Sequence, residues 1–163
     1  MNVVVLAAGK GKRMHSSLPK VLQALAGRPL LDHVLDATAG LADHPRVVVI
    51  GHAEDIVRKP YEGRTDIVFA LQQEQLGTGH TLMQALAAIN PEDPLTLVCL
   101  GDVPLLSPKT LMAMAEAGAD GSLVLLTVEL SDPTGYGRIV RNASGAVISI
   151  VEEKDASSEE KRI

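Results

Sequence analysis

Residues 3–6, Val-Val-Val-Leu, form an unbroken apolar run with β-branched side chains, and the run stops at Ala-Ala-Gly. Such a run has no polar face to offer water, so it predicts a strand buried on both sides, as in the middle of a parallel sheet. Parallel strands need long crossovers, so the rest of the chain should alternate strand and helix. It does. Apolar runs at 47–50, 67–71 and 95–100 predict three further strands. Residues 122–128 predict a fifth, although so apolar a run is also compatible with a helix. Between them, a helix should start near Pro29 and bury Leu30, Leu31, Val34, Leu35 and Leu41, and a short one should run from 53 to before Pro60. Leu82, Ala85, Leu86 and Ile89 have helical spacing. Ser107-Pro108 supplies a cap and a first-turn proline for a helix with Leu111, Met114 and Ala115 inward. Residues 138–141 and 146–151, joined by Asn142-Ala143-Ser144-Gly145, predict a hairpin. The expected fold class is α/β: a Rossmann-like, mostly parallel sheet with helices on both faces, incomplete as a domain.

After the first strand comes Gly9-Lys10-Gly11-Lys12-Arg13, with Lys20 close behind. Glycines let backbone N–H groups approach a ligand, and the cations favour an anion, so the loop would suit a phosphate chain, although taken alone it reads more readily as a solvated basic turn. Neither of two familiar phosphate loops is present. No Gly-x-x-x-x-Gly-Lys-Ser/Thr series starts here, and Met14 occupies the place of the third glycine of the dinucleotide fingerprint. In an open α/β sheet, ligands bind beyond the carboxyl ends of the strands. That rule selects the segments after residues 6, 71 and 100.

Composition narrows the function classes. The 163 residues carry a formal net charge of −5 and are 2% aromatic, which argues against broad nucleic-acid binding by charge or base stacking. Cys99 is the sole cysteine, so no intrachain disulfide forms, and its apolar neighbours predict a buried, inert thiol. The five histidines lack paired ligand spacing, and no Gly-x-Ser-x-Gly elbow is present. No segment has the length and apolarity of a membrane span, so a cytoplasmic protein without a membrane partner is expected.

Leu6-Ala7-Ala8-Gly9-Lys10-Gly11-Lys12-Arg13-Met14 followed by Leu18-Pro19-Lys20 closely resembles the opening of the sugar-nucleotide pyrophosphorylases. The resemblance continues at Gln72-Gln73-Glu74-Gln75-Leu76-Gly77-Thr78-Gly79-His80, at Gly101-Asp102-Val103-Pro104-Leu105, at Asp132-Pro133-Thr134-Gly135-Tyr136-Gly137-Arg138-Ile139 and at Ile150-Val151-Glu152. In detail it is similar to the uridylyltransferase region of the bifunctional uridylyltransferase/acetyltransferases. The opening motif is also shared by molybdopterin guanylyltransferases and cytidylyltransferases. The resemblance implies transfer of UMP from UTP to N-acetylglucosamine 1-phosphate, with Mg²⁺, for peptidoglycan and lipopolysaccharide precursors.

Carried over residue by residue, the resemblance gives Arg13, Lys20 and Asp102 catalytic roles, with Asp102 as the Mg²⁺ ligand. From spacing alone Asp102 is equally an aspartate that ties the turn before Pro104. The resemblance assigns nucleotide contacts to Leu6, Ala7, Ala8, Gly9, Lys20, Gln72, Gly77 and Thr78, and to Leu100, Gly101 and Asp102, and it assigns sugar contacts to Gly137 and Glu152. Gln72 has amide donors and an acceptor for the mixed edge of uracil. Leu100 departs from the aromatic residue common at that place. The resemblance also implies that residues 1–163 are the N-terminal part of a nucleotidyltransferase domain. The sugar-contacting and metal-completing asparagines would then lie beyond it, as would a β-helix acetyltransferase domain through which the parent protein forms homotrimers. Weak or absent turnover by the chain alone is expected on that ground. A non-catalytic nucleotide-binding module is the alternative from a different class.

Overall fold

The computed structural model describes residues 1–9, 11 and 16–163. These residues form two compact units, Met1–Leu125 and Leu126–Ile163. The first is built on four parallel strands: β1 (Asn2–Leu6), β4 (Arg46–Ile50), β5 (Ile67–Leu71) and β6 (Thr96–Leu100), in the order β5-β4-β1-β6. The chain leaves β1 towards one edge, through β4 and β5, and then returns to place β6 on the other side of β1. The strand order therefore reverses beside β1, where a crevice opens at the carboxyl ends.

Alternate residues of each strand face opposite sides of the sheet, and the core divides accordingly. On one side, Val3, Val5, Val48, Ile50, Leu97 and Cys99 pack against α1 (Leu30–Thr38), through Leu31, Val34 and Leu35, and against Leu111 of α4 (Pro108–Ala117). On the other, Val4, Leu6, Val47 and Val49 meet Leu82, Ala85 and Ile89. Val4, Val5, Val48, Val49 and Ile50 are fully buried, each stabilising the fold by roughly 1.5–3 kcal/mol. Both faces are covered, as the unbroken apolar runs require.

Local chemistry sets the helix limits. Ser107 Oγ accepts from the Thr110 N–H at 3.1 Å and Pro108 sits in the first turn, so α4 begins where expected. Next to α2 (Glu54–Arg58), a 3-10 turn over Lys59–Tyr61 absorbs Pro60. The buried Tyr61 hydroxyl donates to Asp32 at 2.7 Å and so fastens that turn to α1. Burial and this bond raise the Tyr61 pKa above the ordinary phenol value. A short ladder, β2 (Ala24–Leu25) with β3 (Arg28–Pro29), was not expected from the sequence. Its two-residue turn puts both Ala26 and Gly27 at positive φ.

Two expectations change. α3 (Thr78–Met83) stops six residues before Ile89, and the chain continues in turns whose bonds still hold Ala85 and Ile89 on the sheet. Residues 122–128 are neither strand nor helix. No described backbone–backbone hydrogen bond pairs them, and Leu123, Leu125, Leu126 and Val128 are exposed. An apolar run becomes a strand only when a neighbouring strand accepts its ladder bonds, and none does so here.

The second unit holds the expected hairpin, β7 (Arg138–Arg141) antiparallel to β8 (Val147–Val151). Asn142 Oδ1 accepts from the N–H groups of Ser144 and Ala146, and Gly145 takes positive φ, which closes the turn.

Candidate active site

A cleft of about 690 Å³ opens at the carboxyl ends of β1, β5 and β6. Its floor is the end of β1 and the chain that follows it, residues 6–9. Three backbone groups of this stretch are used by the protein itself. Leu6 C=O accepts from the Gly101 N–H at 2.9 Å, the Ala7 N–H donates to Val49 at 2.8 Å, and Ala8 C=O accepts from Gln75 Nε2 at 3.0 Å. Residues 6–8 thus have fewer groups free for a base than the sequence alone allows.

Glycines make the close approaches possible. A Cβ on Gly101 would lie 3.2 Å from Leu6 O and from Val21 Cγ1, so the turn after β6 lies tight against the floor. A Cβ on Gly51 would meet Ala8 Cβ and Gln72 O, both at 3.1 Å; this residue lets the ends of β1 and β5 come together. Gly51 was not singled out from the sequence, although its place directly after a buried strand matches that of Gly101. Gly11, at φ +58, leaves room for Lys20 Cβ, which an added methyl would meet at 2.9 Å. Gly77, at φ 99 and ψ 177, occupies backbone space essentially confined to glycine.

Two walls rise from that floor. On one, Lys20 Nζ pairs with the Asp102 carboxylate at 2.6 Å, both side chains about one-third exposed and both lining the cleft beside Leu100. On the other stand Gln72, Gly77 and Thr78. Gln72 is 3% exposed and engaged at three of its four amide positions: Nε2 lies 2.9 Å from His80 Nδ1 and 3.4 Å from Gly77 O, while Oε1 accepts from the Thr81 hydroxyl at 3.0 Å. Gln75, His80 and Thr81 were not among the expected site residues. Their signal was present in the Gln-x-x-Gln and Gly-x-Gly-His-Thr spacing, but it has meaning only once the loop folds back.

Of the expected residues of the first unit that are described, the cleft gathers all but Gly101, whose N–H holds Leu6 C=O. Gly137 and Glu152 lie in the second unit and are neighbours there, a Cβ on Gly137 falling 3.9 Å from Glu152 Oε2. Arg13, with Lys10, Lys12, Met14 and His15, lies outside the described residues. Cys99 is buried as expected, and burial raises its thiol pKa to about 11, which leaves it protonated and unreactive at neutral pH.

Among the described residues, no three His, Cys, Asp or Glu side chains are placed to share a metal ion. Asp102 offers one carboxylate, already matched to a cation. A single carboxylate fits Mg²⁺ that arrives on a triphosphate and keeps its waters, and does not fit an all-protein cage. No helix among the described residues is long and apolar enough to cross a membrane.

The family model described as the MobA-like NTP transferase domain matches residues 3–153. The bifunctional protein GlmU of Burkholderia mallei is 56% identical over 163 residues, which is all of this chain and 36% of that relative's length. The chain therefore spans about a third of the relative it matches. Among solved structures, Rv0371c from Mycobacterium tuberculosis superposes with a TM-score of 0.63 at 25% identity, covering 73% of this chain and 60% of that one. A nucleotidyl transferase from Methanothermobacter gives 0.63 at 26% identity, covering 71% and 56%. The expected relationship and the Rossmann-like fold class both agree with these matches.

Proposed function

We propose that this chain, which belongs to the MobA-like NTP transferase domain family, carries the nucleotide site of a uridylyltransferase that makes UDP-N-acetylglucosamine. The observation that carries this reading is the pairing of Lys20 with Asp102 at 2.6 Å, opposite Gln72 across one cleft at the strand ends. The identity of 56% to a bifunctional GlmU supports the choice of uridine and of N-acetylglucosamine 1-phosphate.

In the proposed reaction a phosphate oxygen of N-acetylglucosamine 1-phosphate attacks the α-phosphorus of UTP. One P–O bond forms to the sugar phosphate, the bond to the β-phosphate oxygen breaks, and pyrophosphate leaves with the electron pair. The attacking oxygen is already ionised at neutral pH, so no general base is needed. The barrier is the approach of two anions and the charge on the leaving group. Lys20 sits where its ammonium can turn from Asp102 to the triphosphate. Asp102 would hold Mg²⁺, which when bound neutralises phosphate charge and aligns the leaving group. Arg13 is proposed to act on the same phosphates, residues 6–9 and 77–78 to hold the uridine, and Gly137 and Glu152 to contact the sugar.

Pyrophosphate release from UTP and N-acetylglucosamine 1-phosphate with Mg²⁺ tests this. Release by this chain is expected to be weak, and Asp102→Ala is expected to abolish it. Unchanged release in the variant, or competition by GTP that exceeds that of UTP, would overturn the reading; the second outcome points to guanylyl transfer.

A further inference from the structure

Gln72 lines the cleft, yet the protein itself fills three of the four hydrogen-bonding positions of its amide. One N–H is directed at His80 Nδ1 and the other, over a longer distance, at Gly77 C=O, while one Oε1 lone pair accepts from Thr81. The amide therefore has one position left, the second lone pair of Oε1. A base that meets it is met by an acceptor.

Thr81 does not fix which way round the amide sits. Its hydroxyl lies 3.0 Å from Gln72 Oε1 and 3.0 Å from Gly77 C=O, so it can donate to the amide, or donate to Gly77 and accept from the amide. His80 decides. When Nδ1 carries a lone pair, only the amide nitrogen can face it. When Nδ1 carries the proton, the amide must turn, and an N–H is left over in place of a lone pair. A neutral imidazole that accepts at Nδ1 holds its proton on Nε2. Next to that atom lies the amide of Gln84, its nitrogen 3.2 Å away. The same nitrogen lies 3.3 Å from His80 C=O; turning this partly buried amide about its own axis gives up that longer bond and brings its oxygen to the Nε2–H.

We propose that His80 is a positioning residue for base selection: through Nδ1 it holds Gln72 as a hydrogen-bond acceptor, which favours a base with a ring N–H, such as uracil, over cytosine, whose N3 has none. The inference rests on the reading that Gln72 faces the base. A second lone pair opposite cytosine N3 would leave two acceptors in contact, whereas uracil N3–H completes the amide.

Two measurements on the full 163-residue chain test it. The first is the ratio of UTP to CTP dissociation constants with Mg²⁺ in wild type, His80→Leu and His80→Asn, with thermal melts as the check on folding. His80→Leu is expected to lower the preference for UTP by roughly tenfold, the effect of one hydrogen bond to a buried amide. His80→Asn, which can present an oxygen near the position of Nδ1, should restore most of it. An unchanged ratio in His80→Leu with UTP still bound overturns the inference while leaving the nucleotide site intact, as does an Asn variant no better than Leu. A wild-type chain that binds neither nucleotide sinks the site reading itself. The second needs no variant: ¹⁵N shifts of His80 should report the Nε2–H tautomer, and the Nδ1–H tautomer would overturn the proposal.

Discussion

Two ion pairs sit at opposite ends of the same sheet and are built for different work. At the amino end, Arg46, the first residue of β4, pairs with Asp66 just before β5; its side chain is 4% exposed and its guanidinium also donates to Leu35 C=O in α1. Arg64 holds the same carboxylate from the solvent side. At the carboxyl end, Lys20 and Asp102 face a cleft, and no further side-chain partner is described for either. The first pair ties strand, helix and loop together. The second leaves both charges available to a ligand.

If this contrast is right, removing Arg46 should have the largest effect on stability. Arg46→Ala takes away a buried stem and charge-assisted bonds to two elements, so a loss of about 2–3 kcal/mol is expected in urea unfolding. UTP binding at a temperature where the variant is folded should stay unchanged. A loss of binding at preserved fold would break the division of labour between the two ends.

A smaller effect should appear with acid. The hydrogen-bonded Arg64 guanidinium, helped by the charge of Arg46, lowers the Asp66 pKa to about 2. An unfolded aspartate titrates near about 3.9. Asp66 therefore binds its proton more readily in the unfolded chain, so its contribution is complete above that value and is lost as the pH falls towards 2. Because the Asp66 side chain is about half exposed, solvent screening keeps the contribution below that of Arg46. The gap between wild type and Asp66→Asn in urea midpoint should be widest near pH 6 and close between pH 4 and 2. A gap that stays constant with pH would mean that the ion pair is not its source.

How far the sequence could anticipate these two ends differs for a physical reason. The strands were legible because Val3 to Leu6 and Val47 to Ile50 are buried on both faces and must be continuously apolar. The start of α4 was legible because Ser107 caps it from within the same turn. Residues 122–128 misled, since an apolar run does not say whether a neighbour will accept its ladder. Lys20 and Asp102 could be singled out by family resemblance, but their pairing spans 82 positions and needs β6 to lie beside β1. Arg46 and Asp66 carry no such mark. Nothing in their local sequence separates a buried arginine at a strand start from a solvated one, and Gln72 likewise gave no sign that its neighbours would fill its donors.

The smallest effect on stability is expected at the cleft, and it tests the contrast most sharply. Lys20→Met keeps the aliphatic length and removes the charge. A pair this exposed contributes roughly 0–1 kcal/mol and is screened by salt. Asp102, left behind, still faces an open cleft in which water can solvate it, so no buried charge is stranded. The melting temperature should therefore stay close to that of wild type, while UTP affinity should fall, since the proposed triphosphate site loses its cation. A drop in stability comparable to that of Arg46→Ala would show Lys20–Asp102 to be a structural tie. The carboxyl end of the sheet would then resemble the amino end, and the cleft would lose the pair on which its proposed chemistry depends.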